Sequence, residues 1–206
     1  MARAPRRNAN PRSETRTPGQ IRLIGGQWRG RKLPVTDVVG LRPTTDRVRE
    51  TLFNWLMQDT RGARVLDCFA GSGALSLEAL SRFAASATML ELDSAAARQL
   101  MANLATLKAD NGKVISGDSL AFLAKPAEAP YDIVFIDPPF RKGLLAPCIE
   151  HLSQNGYLRP GTWIYLETES ELDMPALPAG WSLHREKVAG QVAFRLYQYR
   201  PTENPV

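Results

Sequence analysis

The chain has 206 residues, 44% apolar and 23% charged, with a net charge of +5. These values suit a single soluble domain with a full core. No unbroken apolar run is long enough to span a bilayer, and the polar, Arg-rich N-terminus lacks the apolar segment of a secretory signal, so a cytoplasmic protein with no membrane partner is expected. Cys68 and Cys148 have no disulfide or zinc spacing, and His151 and His184 have no ligand pattern around them, so a metal-free protein is expected.

Charge is unevenly distributed. Residues 1–49 hold twelve Arg and Lys against three Asp and Glu, a net of +9, whereas residues 50–206 carry a net of −4. A basic arm on a mildly acidic body points to a polyanion, with nucleic acid favoured over a merely solubilising tail. Residues 1–20 are rich in Arg, Pro, Asn, Ser and Thr and are expected to be disordered when free. Two short β patterns, Ile21 to Ile24 and Gln27 to Leu33, flank Gly25-Gly26 and predict a hairpin extension over 21–40. Its polar side would carry Arg22, Arg29, Arg31 and Lys32, with Trp28 among them, a composition suited to nucleic-acid contact. Trp28 could equally anchor the hairpin to the body.

A helix follows, capped by Thr45 or Asp46, with Val48, Leu52, Trp55 and Leu56 on its apolar face. Arg42, Arg47 and Arg49 add charge at its start, where they could contact phosphate or be ordinary solvated residues. From residue 64 the pattern alternates, with strands expected at 64–67, 87–92, 113–116, 131–137 and 161–167. Helices are expected at 73–84, 94–108, 118–124 and 142–154. That alternation predicts an α/β fold with a parallel sheet covered on both faces. Residues 181–199 read as a closing antiparallel hairpin, and 201–206 as a loose tail.

The stretch Val65-Leu66-Asp67-Cys68-Phe69-Ala70-Gly71-Ser72-Gly73-Ala74-Leu75 reads as strand, glycine turn and helix start, with Ser72 as the candidate helix cap. Ligands of open α/β sheets bind at the carboxyl ends of the strands. Asp67, Glu91, Asp118 and Asp137 all fall there. Glu91 lies 18 positions past Gly73, the spacing of a ribose clamp. A dinucleotide site would want a third glycine, which this turn lacks. An acid just before the turn suits a ligand carrying an ammonium group, such as S-adenosylmethionine. Asp93 is read as a helix cap. In Asp137-Pro138-Pro139-Phe140 the two prolines remove amide hydrogens, leaving carbonyl acceptors beside a carboxylate. Such acceptors suit an amine donor, and Phe140 could stack on a flat base.

On these residues, together with Arg22-Leu23-Ile24-Gly25-Gly26-Gln27-Trp28-Arg29-Gly30-Arg31-Lys32-Leu33 and Arg42-Pro43-Thr44-Thr45-Asp46-Arg47-Val48-Arg49-Glu50, the chain resembles the RsmD family of ribosomal RNA guanine-N2 methyltransferases over about residues 21–199. The resemblance implies a class I methyltransferase fold: a Rossmann-like seven-stranded sheet with an antiparallel C-terminal hairpin, here filling residues 41–200. It implies S-adenosyl-L-methionine as donor, S-adenosylhomocysteine as product, and a guanine in 16S rRNA of an assembled or nearly assembled small subunit as target. A monomer is expected. The expected cofactor set is Asp67, Phe69, Gly71, Gly73, Glu91, Asp118 and Ser119. The expected catalytic set is Asp137, Pro138 and Phe140. The expected RNA-binding set is Arg22, Trp28, Arg29, Arg31, Lys32, Arg42 and Arg47. Methylation of DNA adenine or protein glutamine on the same fold is the nearest alternative. A dinucleotide oxidoreductase and a non-catalytic RNA-binding assembly factor are more distant ones.

Overall fold

A computed structural model describes residues 19–36 and 45–201. Most of the basic arm, Arg42 and the C-terminal tail lie outside the described residues. The chain runs β1 (Gln20–Arg22), β2 (Lys32–Pro34), α1 (Asp46–Trp55), β3 (Arg64–Asp67), α2 (Ala74–Ser81), β4 (Ser86–Glu91) and α3 (Ser94–Leu107). It continues through β5 (Gly112–Ser116), α4 (Ser119–Leu123), β6 (Tyr131–Ile136), α5 (Leu145–Gln154), β7 (Leu158–Glu169), β8 (Trp181–Ala189) and β9 (Val192–Tyr199).

Seven strands form one sheet in the order β5-β4-β3-β6-β7-β9-β8. The five from β5 to β7 are parallel, and β9 and β8 close the sheet antiparallel. The central strands are apolar on both faces because helices cover both. Val65, Ile133 and Phe135 face one core with α1, α2 and α3. Leu66, Val134 and Ile136 face the other with α5. The strand order reverses between β3 and β6, so the crevice of an open sheet falls between their carboxyl ends.

The N-terminal hairpin is present, but its turn is not Gly25-Gly26. Pairing runs Gln20↔Pro34, Ile21↔Leu33 and Arg22↔Lys32, and the reversal occupies 23–31 around a 3-10 turn at Gly26–Trp28. The glycine pair instead meets α2. Gly26 has φ +76°, and a Cβ there would lie 1.8 Å from the Ser81 carbonyl oxygen. Close backbone approach, rather than hairpin reversal, is what requires glycine at this position. Ile21, Leu23 and Leu33 are buried in the core shared with α1 and α2.

This docking explains α2. All eight of its residues are buried, so it needs cover on the side away from the sheet. Glu78, fully buried within it, accepts hydrogen bonds from the Ile24 and Gly25 amides at 2.9 and 2.8 Å. It also accepts from Arg82 Nε at 2.8 Å and lies 3.7 Å from the Arg49 guanidinium. Arg49 is thus neither solvated nor open to phosphate: it is 1% exposed, paired with Asp46 and bonded to the Arg22 carbonyl, because its helix face turns onto the hairpin and α2. Ser81 Oγ donates to the Gly25 carbonyl and accepts from the Trp28 amide. Trp28 therefore anchors the hairpin, half-buried against the core, while Arg29, Arg31, Lys32 and Arg47 are exposed. Arg22 is also exposed and lies 3.6 Å from Asp46.

Other elements depart modestly from the sequence reading. α5 begins at Leu145 rather than 142, because Arg141 and Gly143 both have positive φ. β7 starts earlier, at Leu158, and runs on to Glu169. Thr45 caps α1 by accepting from the Val48 amide, and Asp93 caps α3 by accepting from the Ala95 and Ala96 amides. Cys68 and Cys148 are buried free thiols, and burial pushes Cys68 well above the usual thiol range.

Candidate active site

The turn after β3 is built from glycine geometry. Gly71 and Gly73 both have positive φ, and a Cβ on Gly73 would lie 2.3 Å from Leu100 Cδ2. Ser72, the expected cap, does not cap α2. Gly73 takes the N-cap position in the left-handed region with no side-chain bond to the first turn. The cap residue itself offers no side chain to the first amides of α2, although the Asp67 carboxylate accepts from the Ser76 main chain. The end of β2 reaches this turn, where Val35 and Thr36 line a small recess with Gly71, Ser72, Ala96, Gln99 and Leu100.

Asp67 ends β3 at 1% exposure. Ser76 Oγ donates to its Oδ2 at 2.8 Å, while Oδ1 is buried without a hydrogen-bond partner among the described residues. Burial pushes the carboxyl up to about 7, against the lowering effect of hydrogen bonds from Ser76 and the Phe69 main chain; the nearby Glu91 charge raises it further. An unsatisfied buried acceptor of this kind fits the ammonium group of an amino-acid ligand.

Glu91 ends β4 and does more than the spacing implied. One oxygen accepts from the Gly71 amide and the other from the Asp93 amide, both at 2.7 Å. It thereby braces the glycine turn, and its remaining lone pairs can accept from ribose hydroxyls. The next residue, Leu92, just past the carboxyl end of β4, is 72% exposed. An apolar side chain exposed between two acids is a place for a flat ring to pack, and sequence reasoning passed over it. Its signal was an apolar residue just beyond a strand end. Asp118 is exposed and caps α4 through the Leu120 amide at 2.8 Å, with Ser119 buried beside it.

Asp137-Pro138-Pro139-Phe140 leaves β6 next to this turn. Asp67 and Phe135 are register partners, and the Cys68 amide donates to the Phe135 carbonyl at 3.0 Å. The acid before the glycine turn and the acid before the prolines thus flank the switch point. Pro138 is buried, and Asp137 and Phe140 are half-buried. Beyond them opens a cleft of about 200 Å³ whose lining includes Pro138, Pro139, Arg141, Lys142, Glu167 and Asp173. No group of three or more His, Cys, Asp or Glu among the described residues could hold a metal.

The strand order, the glycine turn after β3 and the acids at successive strand ends define a class I methyltransferase fold. A family model described as "Conserved hypothetical protein 95" matches residues 21–198, and the chain belongs to this family, the RsmD family of methyltransferases. It is 63% identical over 180 residues to "Ribosomal RNA small subunit methyltransferase D" of Escherichia coli K12, covering 87% of this chain and 90% of that one. The protein of the same name from Haemophilus influenzae is 51% identical over 184 residues, covering 87% and 94%. Among solved structures, Escherichia coli yhhF superposes with a TM-score of 0.84 at 62% identity, covering 89% of this chain and all of that one. An RNA methyltransferase of Salinibacter ruber, solved with S-adenosyl-L-homocysteine, shares the fold at a TM-score of 0.58 and 19% identity, over 80% and 97% of the two chains.

Proposed function

We propose that the protein methylates the exocyclic N2 amine of a guanine in 16S rRNA, using S-adenosyl-L-methionine and yielding N2-methylguanosine and S-adenosylhomocysteine. The observation that carries this reading is the pairing of two acid-led turns, at Asp67 and Asp137, across the sheet's switch point in a chain 63% identical to a small-subunit rRNA methyltransferase.

The residues present fit the cofactor. Asp67, with its unpartnered buried oxygen, and the Phe69–Gly73 turn would hold the amino-acid portion. Glu91 would hold the ribose, and Leu92, Asp118 and Ser119 the adenine. Bound there, the cofactor supplies an electrophilic methyl group on a positively charged sulfur. The remaining work falls to the chain. Phe140 stacks on a base turned out of its helix. Asp137 and the Pro138 carbonyl accept the two N–H groups of the amine, which draws the nitrogen lone pair out of the ring. Asp137 would also receive the proton the amine sheds. Holding the amine in line contributes through orientation, for which about 7–11 kcal/mol is attainable. Arg22, Arg29, Arg31, Lys32 and Arg47, all exposed, would meet RNA phosphates, with Arg42 as a further contact. The target is the assembled or nearly assembled small subunit, met by a cytoplasmic monomer.

The test is transfer of labelled methyl to unmodified small subunits, naked 16S rRNA and duplex DNA, with the methylated nucleoside identified after digestion. N2-methylguanosine from the subunits is the expected product; methyladenine would overturn the substrate. Asp137→Ala should abolish transfer while S-adenosylhomocysteine binds as before. Transfer at the normal rate by that variant would refute the role given to Asp137.

A further inference from the structure

The cleft beside the Asp137 turn holds a carboxylate that the proposed methyl transfer does not use. β6 and β7 are paired through Ile136↔Leu166, so the next step along both strands sets Asp137 beside Glu167. Glu167 lines the cleft and yet is only 6% exposed. The Tyr165 hydroxyl donates to its Oε2 at 2.7 Å, which fixes the carboxylate at the cleft wall. Arg195, on the neighbouring β9, is committed to Thr168 at 3.2 Å and Glu186 at 3.2 Å. Burial raises the Glu167 carboxyl above the usual carboxylate range, and an N–H donor brought into the cleft by a ligand would favour its ionised form.

The chemistry of the two candidate bases decides which donor fits. On guanine, the amine to be methylated lies next to a ring N1–H, giving adjacent donors on one edge. On adenine, the amine lies next to a ring nitrogen that carries a lone pair. Adjacent acceptors at Asp137 and Glu167 match the first pattern and repel the second. Arg141 and Lys142 line the same cleft and are exposed, so the opening offers cations for the phosphates of the nucleotide it takes.

We propose that Glu167 is the base-reading residue of the site: its Oε1 accepts the N1–H of the target guanine while Asp137 and the Pro138 carbonyl hold the N2 amine. Tyr165 is the positioning residue that fixes the carboxylate. The assignment rests on the proposed guanine substrate and explains how a site with an amine-binding turn shared by adenine enzymes excludes adenine.

Glu167→Gln keeps the side-chain volume and an acceptor for Tyr165. Wild type and variant are compared on two substrates: unmodified subunits, and subunits rebuilt with 2-aminopurine at the position where wild-type labelling locates the guanine. 2-Aminopurine keeps the amine but has a lone pair in place of N1–H. Wild type should methylate guanine about 10- to 150-fold faster in kcat/KM than 2-aminopurine, the range for a hydrogen bond to a charged group. The variant should lose a similar factor on guanine, and its preference should fall toward unity, because the Gln amide can donate to the ring nitrogen. Equal preference ratios in the two proteins, or an unchanged guanine rate in the variant, would overturn the proposal. If the variant fails to fold, judged by melting and S-adenosylhomocysteine binding, the wild-type arm still decides: equal rates on the two bases refute it. A wild-type product other than N2-methylguanosine would instead overturn the underlying guanine reading, and this assignment with it.

Discussion

Replacing Glu78 by alanine would empty the polar node that joins the N-terminal hairpin to α2. The Ile24 and Gly25 amides would lose the acceptors they now meet at 2.9 and 2.8 Å. Each half-buried amide left without a partner costs about 1 kcal/mol. Arg49, only 1% exposed, would keep its pairing to Asp46 but lose the carboxylate 3.7 Å away. Removing one side of a buried ion pair costs about 3–5 kcal/mol. These effects share one network and do not add in full, so a net loss of about 4–6 kcal/mol is expected, against total domain stabilities of about 5–15 kcal/mol. Urea unfolding followed by circular dichroism measures the loss. Limited trypsin digestion at Arg29, Arg31 and Lys32 reports whether the hairpin has come away. A loss below about 1 kcal/mol with unchanged cleavage would refute the view that Glu78 holds the hairpin. Glu78→Gln, which keeps a carbonyl acceptor, should lie between alanine and wild type.

Further outcomes follow from the site. Burial raises Asp67 to about 7 from 3.8, so between these values the folded state holds a proton that the unfolded state has released. Its contribution to stability is therefore full below about pH 4 and is lost as pH rises through 7, by about 4 kcal/mol in the ligand-free protein. Asp67→Asn should flatten that slope in pH-dependent melting and weaken S-adenosylhomocysteine binding; an unchanged slope would show that Asp67 titrates normally. Gly73→Ala places a Cβ 2.3 Å from Leu100 Cδ2 at φ +76° and should cost about 1–3 kcal/mol in denaturant titration, along with cofactor affinity in calorimetry. Converting Arg29, Arg31 and Lys32 to alanine should weaken subunit binding and lower the slope of log affinity against log salt by about 0.7–0.9 for each phosphate no longer neutralised. A slope equal to wild type would take these residues out of the RNA interface.

The catalytic half of the molecule was legible because its signals are local. Apolar runs such as Val134-Phe135-Ile136 ending on an acid mark both a buried strand and its carboxyl end, and Asp67, Glu91 and Asp137 all fall where that pattern places them. Glu167 lies at the end of the predicted β7 run, but local pattern alone does not pair it with Asp137; that requires the register of β7 against β6. The hairpin was legible as two strands but not as a lid on α2. Its contacts with Glu78 and Ser81 span 53 to 56 residues, beyond the reach of any periodicity. The Ser72 cap failed because serine is a generic helix starter, whereas this turn needs the left-handed conformation that glycine supplies one residue later.

The shared core of hairpin and α2 also bears on synthesis and dissection. The hairpin leaves the ribosome before the helix it covers, and strands of three residues each cannot persist alone in water. Folding of this face therefore waits until residues up to Ser81 are available, and the early segment must stay soluble on its charge until then. Trimming the chain to start at α1 would not yield a minimal catalytic domain. It would uncover α2, which is buried on every side, strip Glu78 and Ser81 of their hairpin partners, and turn the surface next to the glycine turn into a site for aggregation.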